Sequence, residues 1–353
     1  MSVRPAPVAV ASGSAGAGTS RPSSTWLHVG SYAPAGAGIY HFACDPLGGQ
    51  LQPVGHMPNA HSPSWLHAEP AHRRVYAAEE GGDHVSVLEQ TDGGGLRQLQ
   101  RLPSGGRGPC HLALVQGRLW VAHYGDAQLA ALNEVAQGRL APAQSWRAHA
   151  EAGGHAHMLQ PSPDGRWLLG TDLGLDRLHL WPLQGAPWPP GQPQVLAFAP
   201  GSGPRHFAFH PSRPELVYVL HERSNRLATV WLEPQGARLL DESSVLPDGY
   251  AGTSFASDVL LAPGARHLYA LNRLHNSLAV ISLTAPEQPR LLDHHWTHGD
   301  YPRSACLVGS HLYVCNQRSD QLSHFDLKRP DRPRYSGRQW AVPSPAGACA
   351  LPA

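Results

Sequence analysis

Short apolar runs, each closed by polar residues, follow one another along nearly the whole chain and read as strands joined by turns. The plainest copy is Gly203-Pro204-Arg205-His206-Phe207-Ala208-Phe209-His210-Pro211, followed by Leu216-Val217-Tyr218-Val219-Leu220-His221-Glu222. Two strands joined by a tight turn and paired antiparallel return to where the first began. The Arg205-His206 pair that opens the first strand therefore falls beside the His221-Glu222 pair that ends the second. Register alone brings a guanidinium, imidazoles and a carboxylate together.

The same layout recurs at an interval of roughly 46 to 52 residues. The strand openers are Pro63-Ser64-Trp65-Leu66, Gly108-Pro109-Cys110-His111, Gly154-His155-Ala156-His157-Met158, Gly203-Pro204-Arg205-His206, Ser254 to Val259, and Tyr301-Pro302-Arg303-Ser304. Each is followed by a turn, as at Ser162-Pro163-Asp164-Gly165, and by a second strand ending in polar residues such as Glu79-Glu80, His123-Tyr124, Asp172, Asn272-Arg273 or Asn316-Gln317. Third strands start at His84, Gln128, Arg177, Arg226, Ser277 and Gln321, and a variable fourth segment completes each unit, as in Arg290 to Trp296. Four strands in a unit of this length is the arithmetic of a propeller blade.

The ends set the blade number. Three strands precede the first full unit, at Trp26 to Tyr32, Gly38 to Ala43 and Gln50 to Met57. The segment Pro345 to Leu351 supplies the opening strand that this trio lacks. The expected fold is all-β: a seven-bladed β-propeller of four-stranded antiparallel blades over residues 25–353, its ring closed by a C-terminal strand that joins the N-terminal blade. Residues 1–24, rich in Ala, Ser, Gly and Pro, read as a flexible tail; Ala6 to Ala11 is too short and too weakly apolar for a signal-peptide core.

Composition agrees with this. Gly 37 and Pro 34 make up about a fifth of the residues, against an average of roughly 12%. A net charge of +1 leaves no electrostatic footprint for nucleic acid or an anionic membrane, and neither is expected as a partner. Lys328 is the single lysine, so nearly every cation is Arg, the side chain suited to carboxylate and phosphate; GC-rich coding gives the same bias. Five scattered cysteines without a CxxC argue against a disulfide framework or a zinc ribbon and point to the cytoplasm.

In a propeller blade the start of the innermost strand and the end of the second emerge on one face. That places His111, His123, His155, His157, Asp172, Arg205, His206, Glu222, Asp258, Asn272, Arg273, Arg303, Asn316 and Gln317 around one funnel. An isolated member, such as His111 or Asn316, reads first as a hydrated channel residue bonded to neighbouring backbone. Arg205, Glu222 and Arg273 together call for a mutual ion pair or a shared ligand, because buried charges are costly unpaired. His155 and His157, spaced i and i+2, could serve as metal ligands or as hydrogen-bonded structural histidines. No metal and no cofactor is expected.

The chain resembles the seven-bladed β-propeller lactonase family, which includes bacterial propeller-type 6-phosphogluconolactonases and fungal carboxymuconate lactonizing enzymes. The resemblance rests on Val29-Gly30-Ser31-Tyr32, Gly108-Pro109-Cys110-His111, His155-Ala156-His157, Asp172-Leu173-Gly174-Leu175-Asp176, Gly203-Pro204-Arg205-His206, His221-Glu222, Asn272-Arg273 and Tyr301-Pro302-Arg303, from about Trp26 onward. It implies a site at His157 or His155, Arg205, Glu222 and Arg273. It also implies hydrolysis of a sugar δ-lactone, with 6-phosphogluconolactone, a pentose phosphate pathway intermediate, as the foremost substrate. The family commonly has Asn where this chain has Glu79, His123 and His221.

On this reading Glu222 is the base, Arg205 and His157 face the developing oxyanion, and Arg273 with Arg303 anchors an anionic group. His155, His206, Asn272 and Asp172 complete the substrate contacts, and the partner is a small anionic lactone bound by a monomer or weak dimer. No Ser stands in a GxSxG setting, which argues against an acyl-enzyme. The alternatives are cycloisomerisation of a muconate-type dicarboxylate, a divalent-metal lactonase of the other propeller type, and a non-catalytic interaction propeller.

Overall fold

Each apolar run forms a strand because its β-branched, Leu and aromatic residues alternate between the two faces of a sheet, and Gly- and Pro-containing turns bound it. The computed structural model describes residues 25–149, 151–183 and 191–352. The expected tail of residues 1–24 lies outside the described residues. The strands assemble into seven four-stranded antiparallel sheets, the blades. Blade 1 has the order Pro345–Pro352, Thr25–Ser31, Gly38–Cys44, Leu51–Pro58, so the last strand of the chain is its innermost. The ring is closed as the repeat required, with each of the seven blades complete at four strands.

Blades 2 to 7 open on the inner strands Pro63–Glu69, Pro109–Val115, Ala156–Pro161, Pro204–His210, Phe255–Leu261 and Pro302–Val308. Their apolar faces pack blade against blade. Met158, Trp167 and Leu169 of blade 4, for example, meet Phe207, Val217 and Val219 of blade 5. Tyrosines at one position of the second strand fasten neighbouring blades. Tyr218 donates to Pro286 O at 3.0 Å, Tyr269 to Pro330 O at 2.9 Å, and Tyr313 to Gly49 O at 3.1 Å across the ring closure.

One irregularity repeats in every blade and shapes the mouth. The ladder between the first and second strands skips a residue on the inner strand: between Pro63 and Trp65, Pro109 and His111, Ala156 and Met158, Pro204 and His206, Ala256 and Val259, and Pro302 and Ser304. The closing strand does the same between Pro345 and Ala348. A bulge of this kind turns a side chain off the sheet face. The extra residues are Ser64, Cys110, His157, Arg205, Ser257 with Asp258, Arg303, and Ala346 with Gly347.

The entry to these strands is bent in the same way. Ser62, Gly108, Gly203, Tyr301 and Ser344, each just before the opening proline, have φ between 44° and 65°. Glycine meets that demand without steric cost, which accounts for the Gly of the Gly-Pro-Arg-His and Gly-Pro-Cys-His motifs. Tyr301 holds it against its side chain's preference, with its N–H given to Asn276 Oδ1 at 2.9 Å and its carbonyl accepting from Gln317 N at 3.0 Å.

Candidate active site

Two register positions build the funnel. The first is the bulge residue of each inner strand. The second is the residue at or just past the end of each second strand: Tyr32, Glu80, Tyr124, Leu173, Glu222, Arg273 (the last residue of its strand) and Gln317. The N–H of most of these is tied to the residue that precedes the neighbouring inner strand, as in Glu222 N to Gly203 O at 2.7 Å and Glu80 N to Ser62 O at 3.0 Å. Side chains from these two positions therefore converge on one mouth from a rigid frame.

At its centre Glu222 Oε2 lies 2.9 Å from Arg205 Nε and 2.7 Å from Arg273 Nη2. Arg205 and Arg273 are 3% and 4% exposed, and Glu222 is partly buried. Burial alone would raise the Glu222 pKa, but the Arg205 and Arg273 guanidiniums outweigh it and hold the carboxyl below its ordinary range. Burial, and then Arg273, lower the Arg205 pKa to about 10. Arg303 sits over the Tyr32 ring, its carbon 4.7 Å from the centroid, and donates to the Tyr32 hydroxyl. Tyr32 in turn donates to Glu80 Oε2 at 2.6 Å. Arg273 and Arg318 share the Tyr301 ring at 5.1 and 4.0 Å.

The opposite wall is aromatic. His155 stacks on Tyr124 with centroids 4.3 Å apart and meets Tyr124 O through Nδ1 at 2.7 Å. The His157 ring stands edge-on to Tyr124 at 6.0 Å and to His206 at 5.1 Å, and its buried Nδ1 has no hydrogen-bond partner. Burial, then Arg205, keep its pKa well below the ordinary imidazole value. His157 is therefore neutral, with ring-nitrogen capacity left unused by the protein.

The structure thus brings Arg205, Glu222, Arg273, Arg303, His155 and His157 to one mouth and assigns the other expected contacts elsewhere. Asn272 is fully buried and donates to Val245 O at 2.9 Å and Ser277 Oγ at 3.1 Å. Asn316 occupies the same position in blade 7 and bonds Ser323 Oγ at 2.9 Å. Asp172 is 2% exposed and is occupied by His149, at 2.7 Å, and by the N–H groups of His155, Gly174 and Leu175. These residues lie on the second strand one position before the mouth residue and brace the loops around it.

His206 lies below the arginines. Its ring packs with those of Trp65, at 5.1 Å, and His111, at 5.9 Å, as a plug across the channel. Beyond the plug a cavity of about 440 Å³ opens toward the other end, lined by Leu66, Leu112, Leu260 and Cys306 among others, and it contains none of the charged mouth residues.

Tyr32, Glu80, Tyr124 and Tyr301 were not expected in the site, although the first three hold a register position already recognised in another blade; Tyr301 enters from the turn before its inner strand. Among the described residues, the group of ligand-type side chains close enough for a metal is Glu69, His72 and Glu134, at the far turns and not at this mouth.

Comparison with known proteins agrees with the architecture. A family model described as lactonase, 7-bladed beta-propeller, matches residues 26–346. A 6-phosphogluconolactonase of Bacillus subtilis is 26% identical over 294 residues, 78% of this chain and 83% of that protein. One of Formosa agariphila is 24% identical, covering 79% of this chain and 85% of that one. A periplasmic gluconolactonase of Pseudomonas aeruginosa superposes with a TM-score of 0.83 at 26% identity, over 93% of this chain and 99% of that one. A Lactobacillus plantarum protein shares the fold, with a TM-score of 0.84 at 22% identity over 93% of this chain and 99% of that one.

Proposed function

The chain belongs to the seven-bladed β-propeller lactonase family, and from that premise we propose that it hydrolyses a sugar δ-lactone carrying an anionic group, 6-phosphogluconolactone foremost. The observation that carries this reading is the arginine excess at the mouth. Arg205, Arg273 and Arg303 are gathered there, and Glu222 is already committed to two of them. A guanidinium fork matches phosphate or carboxylate oxygens, and an anion relieves the repulsion among buried cations.

In this reading Arg273 and Arg303, steered by Tyr301 and Tyr32, hold the anionic group. Arg205 faces the lactone carbonyl and stabilises the oxyanion as water adds. Ring opening then expels the ring oxygen, which takes up a proton. Glu222 is ionised across the neutral range and is a weak proton acceptor, so its two ion pairs favour an aligning role over that of base. His157 is the neutral group with unused capacity to hold the attacking water. Burial is the main cause of its low basicity and Arg205 the next; a bound anion offsets only the arginine part, so His157 orients the water as a neutral ring.

We place the reaction in the cytoplasm, carried out by a monomer or weak dimer. The five cysteines are all free and buried, which fits a reducing compartment. Among the described residues no helix is long and apolar enough to cross a membrane. Initial rates on 6-phosphogluconolactone, on the unphosphorylated lactone and on a muconate-type dicarboxylate, each against the spontaneous reaction, test the proposal. The phosphorylated lactone is expected to show the highest kcat/KM, and no acceleration on any lactone would overturn the reading.

A further inference from the structure

Arg205 is held by more than Glu222. Its Nη1 donates to the carbonyl of Ser257 and lies against the His206 ring, 3.2 Å from Nε2 and 3.4 Å from Nδ1. His206 Nδ1 is 2.9 Å from Asp258 Oδ1. Asp258, 5% exposed, accepts three bonds: that one, Val259 N to Oδ1 at 3.0 Å, and Ala305 N to Oδ2 at 3.2 Å. A carboxylate in the grip of two backbone N–H groups is an acceptor only. His206 must therefore give its Nδ1 proton to Asp258, which leaves the ring neutral, with the Arg205 guanidinium lying against it and nearly equidistant from its two nitrogens. Among the described residues, Nη2 of Arg205 makes no hydrogen bond, and Nε meets Glu222 as an ion pair without one.

We propose that Asp258 is a positioning residue that acts through His206 to fix Arg205, so that Nη2 is presented to the substrate. The inference rests on the proposed role of Arg205 at the carbonyl. The bulge of blade 6 makes it possible, since Ser257 and Asp258 both stand between Ala256 and Val259 on the ladder. One grips the guanidinium by its carbonyl, the other grips the imidazole by its carboxylate. A neutral imidazole can lie against a guanidinium, whereas an imidazolium would repel it; burial and Arg205 lower the His206 pKa to about 4, in keeping with the neutral form. Asp258 also strengthens the positive charge of Arg205, whose pKa it raises. The arrangement follows the logic by which a buried carboxylate selects a histidine tautomer, but the group presented to substrate is an arginine.

The first test needs no substrate. Long-range 15N–1H correlation spectra of histidine-labelled protein, with the His206 signals identified by their loss in His206→Gln, report which ring nitrogen carries the proton. The expected result is Nδ1–H at neutral pH in the wild-type protein and a mixture of tautomers in Asp258→Asn. An Nε2–H tautomer in the wild type overturns the proposal even if Asp258→Asn fails to fold. The second test is a kinetic cycle on the folded variants. Asp258→Asn is expected to lower kcat roughly tenfold with little change in KM, since misplacing a group aimed at the transition state has that signature. The same substitution in an Arg205→Ala background should then change kcat by less than about twofold. An equal loss in both backgrounds would mark Asp258 as a strap between blades and overturn the proposal. A wild-type protein inert on every lactone would refute the proposed function, and the tautomer measurement would still decide this one.

Discussion

Glu222 and Arg273, on the second strands of adjacent blades, meet at 2.7 Å, with Arg205 at 2.9 Å from the same oxygen. Among the described residues neither guanidinium has another ion-pair partner, so the one carboxylate sets the spacing of two cations that would otherwise repel. Arg205→Ala removes the oxyanion donor, and Glu222→Ala removes the group that aligns it. Each is expected to lower turnover about 10²-fold or more while leaving the fold intact. Circular dichroism and steady-state kinetics check this, and wild-type-like rates in both folded variants would sink the site.

The sign of the anion affinity separates an aligning Glu222 from a base. Glu222→Gln keeps the shape of the side chain and removes its charge, which leaves the mouth more positive. Binding of 6-phosphogluconate, measured by calorimetry, should tighten while kcat falls. If binding weakens together with kcat, the carboxylate is a direct substrate contact.

Buried neutral imidazoles make the fold acid-labile. His67 is carried by burial from 6.5 to about 4 in the folded protein, and His206 is likewise near 4. His28 and His41, with their Nδ1 atoms 3.0 Å apart, are both pushed below the ordinary value, chiefly by burial. In each case the unfolded chain binds the proton more readily. Their contribution to stability is therefore complete above about pH 6.5 and is lost as the pH falls toward about 4, by roughly 3 kcal/mol for a group moved as far as His67. Urea midpoints measured from pH 7.5 to 4.5 should fall steadily across that window. A flat profile would mean that these rings are hydrated.

How far the sequence carries the site follows from what each residue's position depends on. The blade order and ring closure were legible because the strand openers recur and only Pro345 to Leu351 could complete the first blade. Arg205, Glu222 and Arg273 were legible because register put them at converging strand ends. Asn272 and Asp172 stood at those ends too, yet they point into their own loops. A polar residue that ends a strand and one that follows it look alike in a sequence, and only the bulge and the tie from Glu222 N to Gly203 O tell which one reaches the mouth. Tyr32 and Glu80 were missed for the converse reason: their meeting with Arg303 joins blades 1, 2 and 7, a proximity created by closing the ring.

Metal removal should leave the activity alone. The mouth carries Arg205, Arg273 and Arg303, which repel a cation, and its carboxylates are engaged: Glu222 by two guanidiniums and Glu80 by the Tyr32 hydroxyl. Rates before and after treatment with a chelator and gel filtration are expected to agree. A loss of activity restored by one divalent cation would move the protein to the metal-dependent reading.

Closure of the ring predicts where stability is concentrated. The closing strand Pro345–Pro352 pairs with Thr25–Ser31, accepts the Ser304 hydroxyl at Ala346 O at 2.6 Å, and buries Leu351 completely. Truncation after Ser344 would expose the inner edge of blade 1 and the flank of blade 7 together. It should abolish cooperative thermal unfolding rather than lower its midpoint. Tyr313→Phe is the gentle counterpart, since it removes only the hydroxyl that donates to Gly49 O and touches Cys44 Sγ across the same junction. It should cost about 1 kcal/mol, or 1–3 kcal/mol if the carbonyl is left buried without a partner. A truncated protein that melts cooperatively near the wild-type temperature would show that blade 1 holds together without its inner strand.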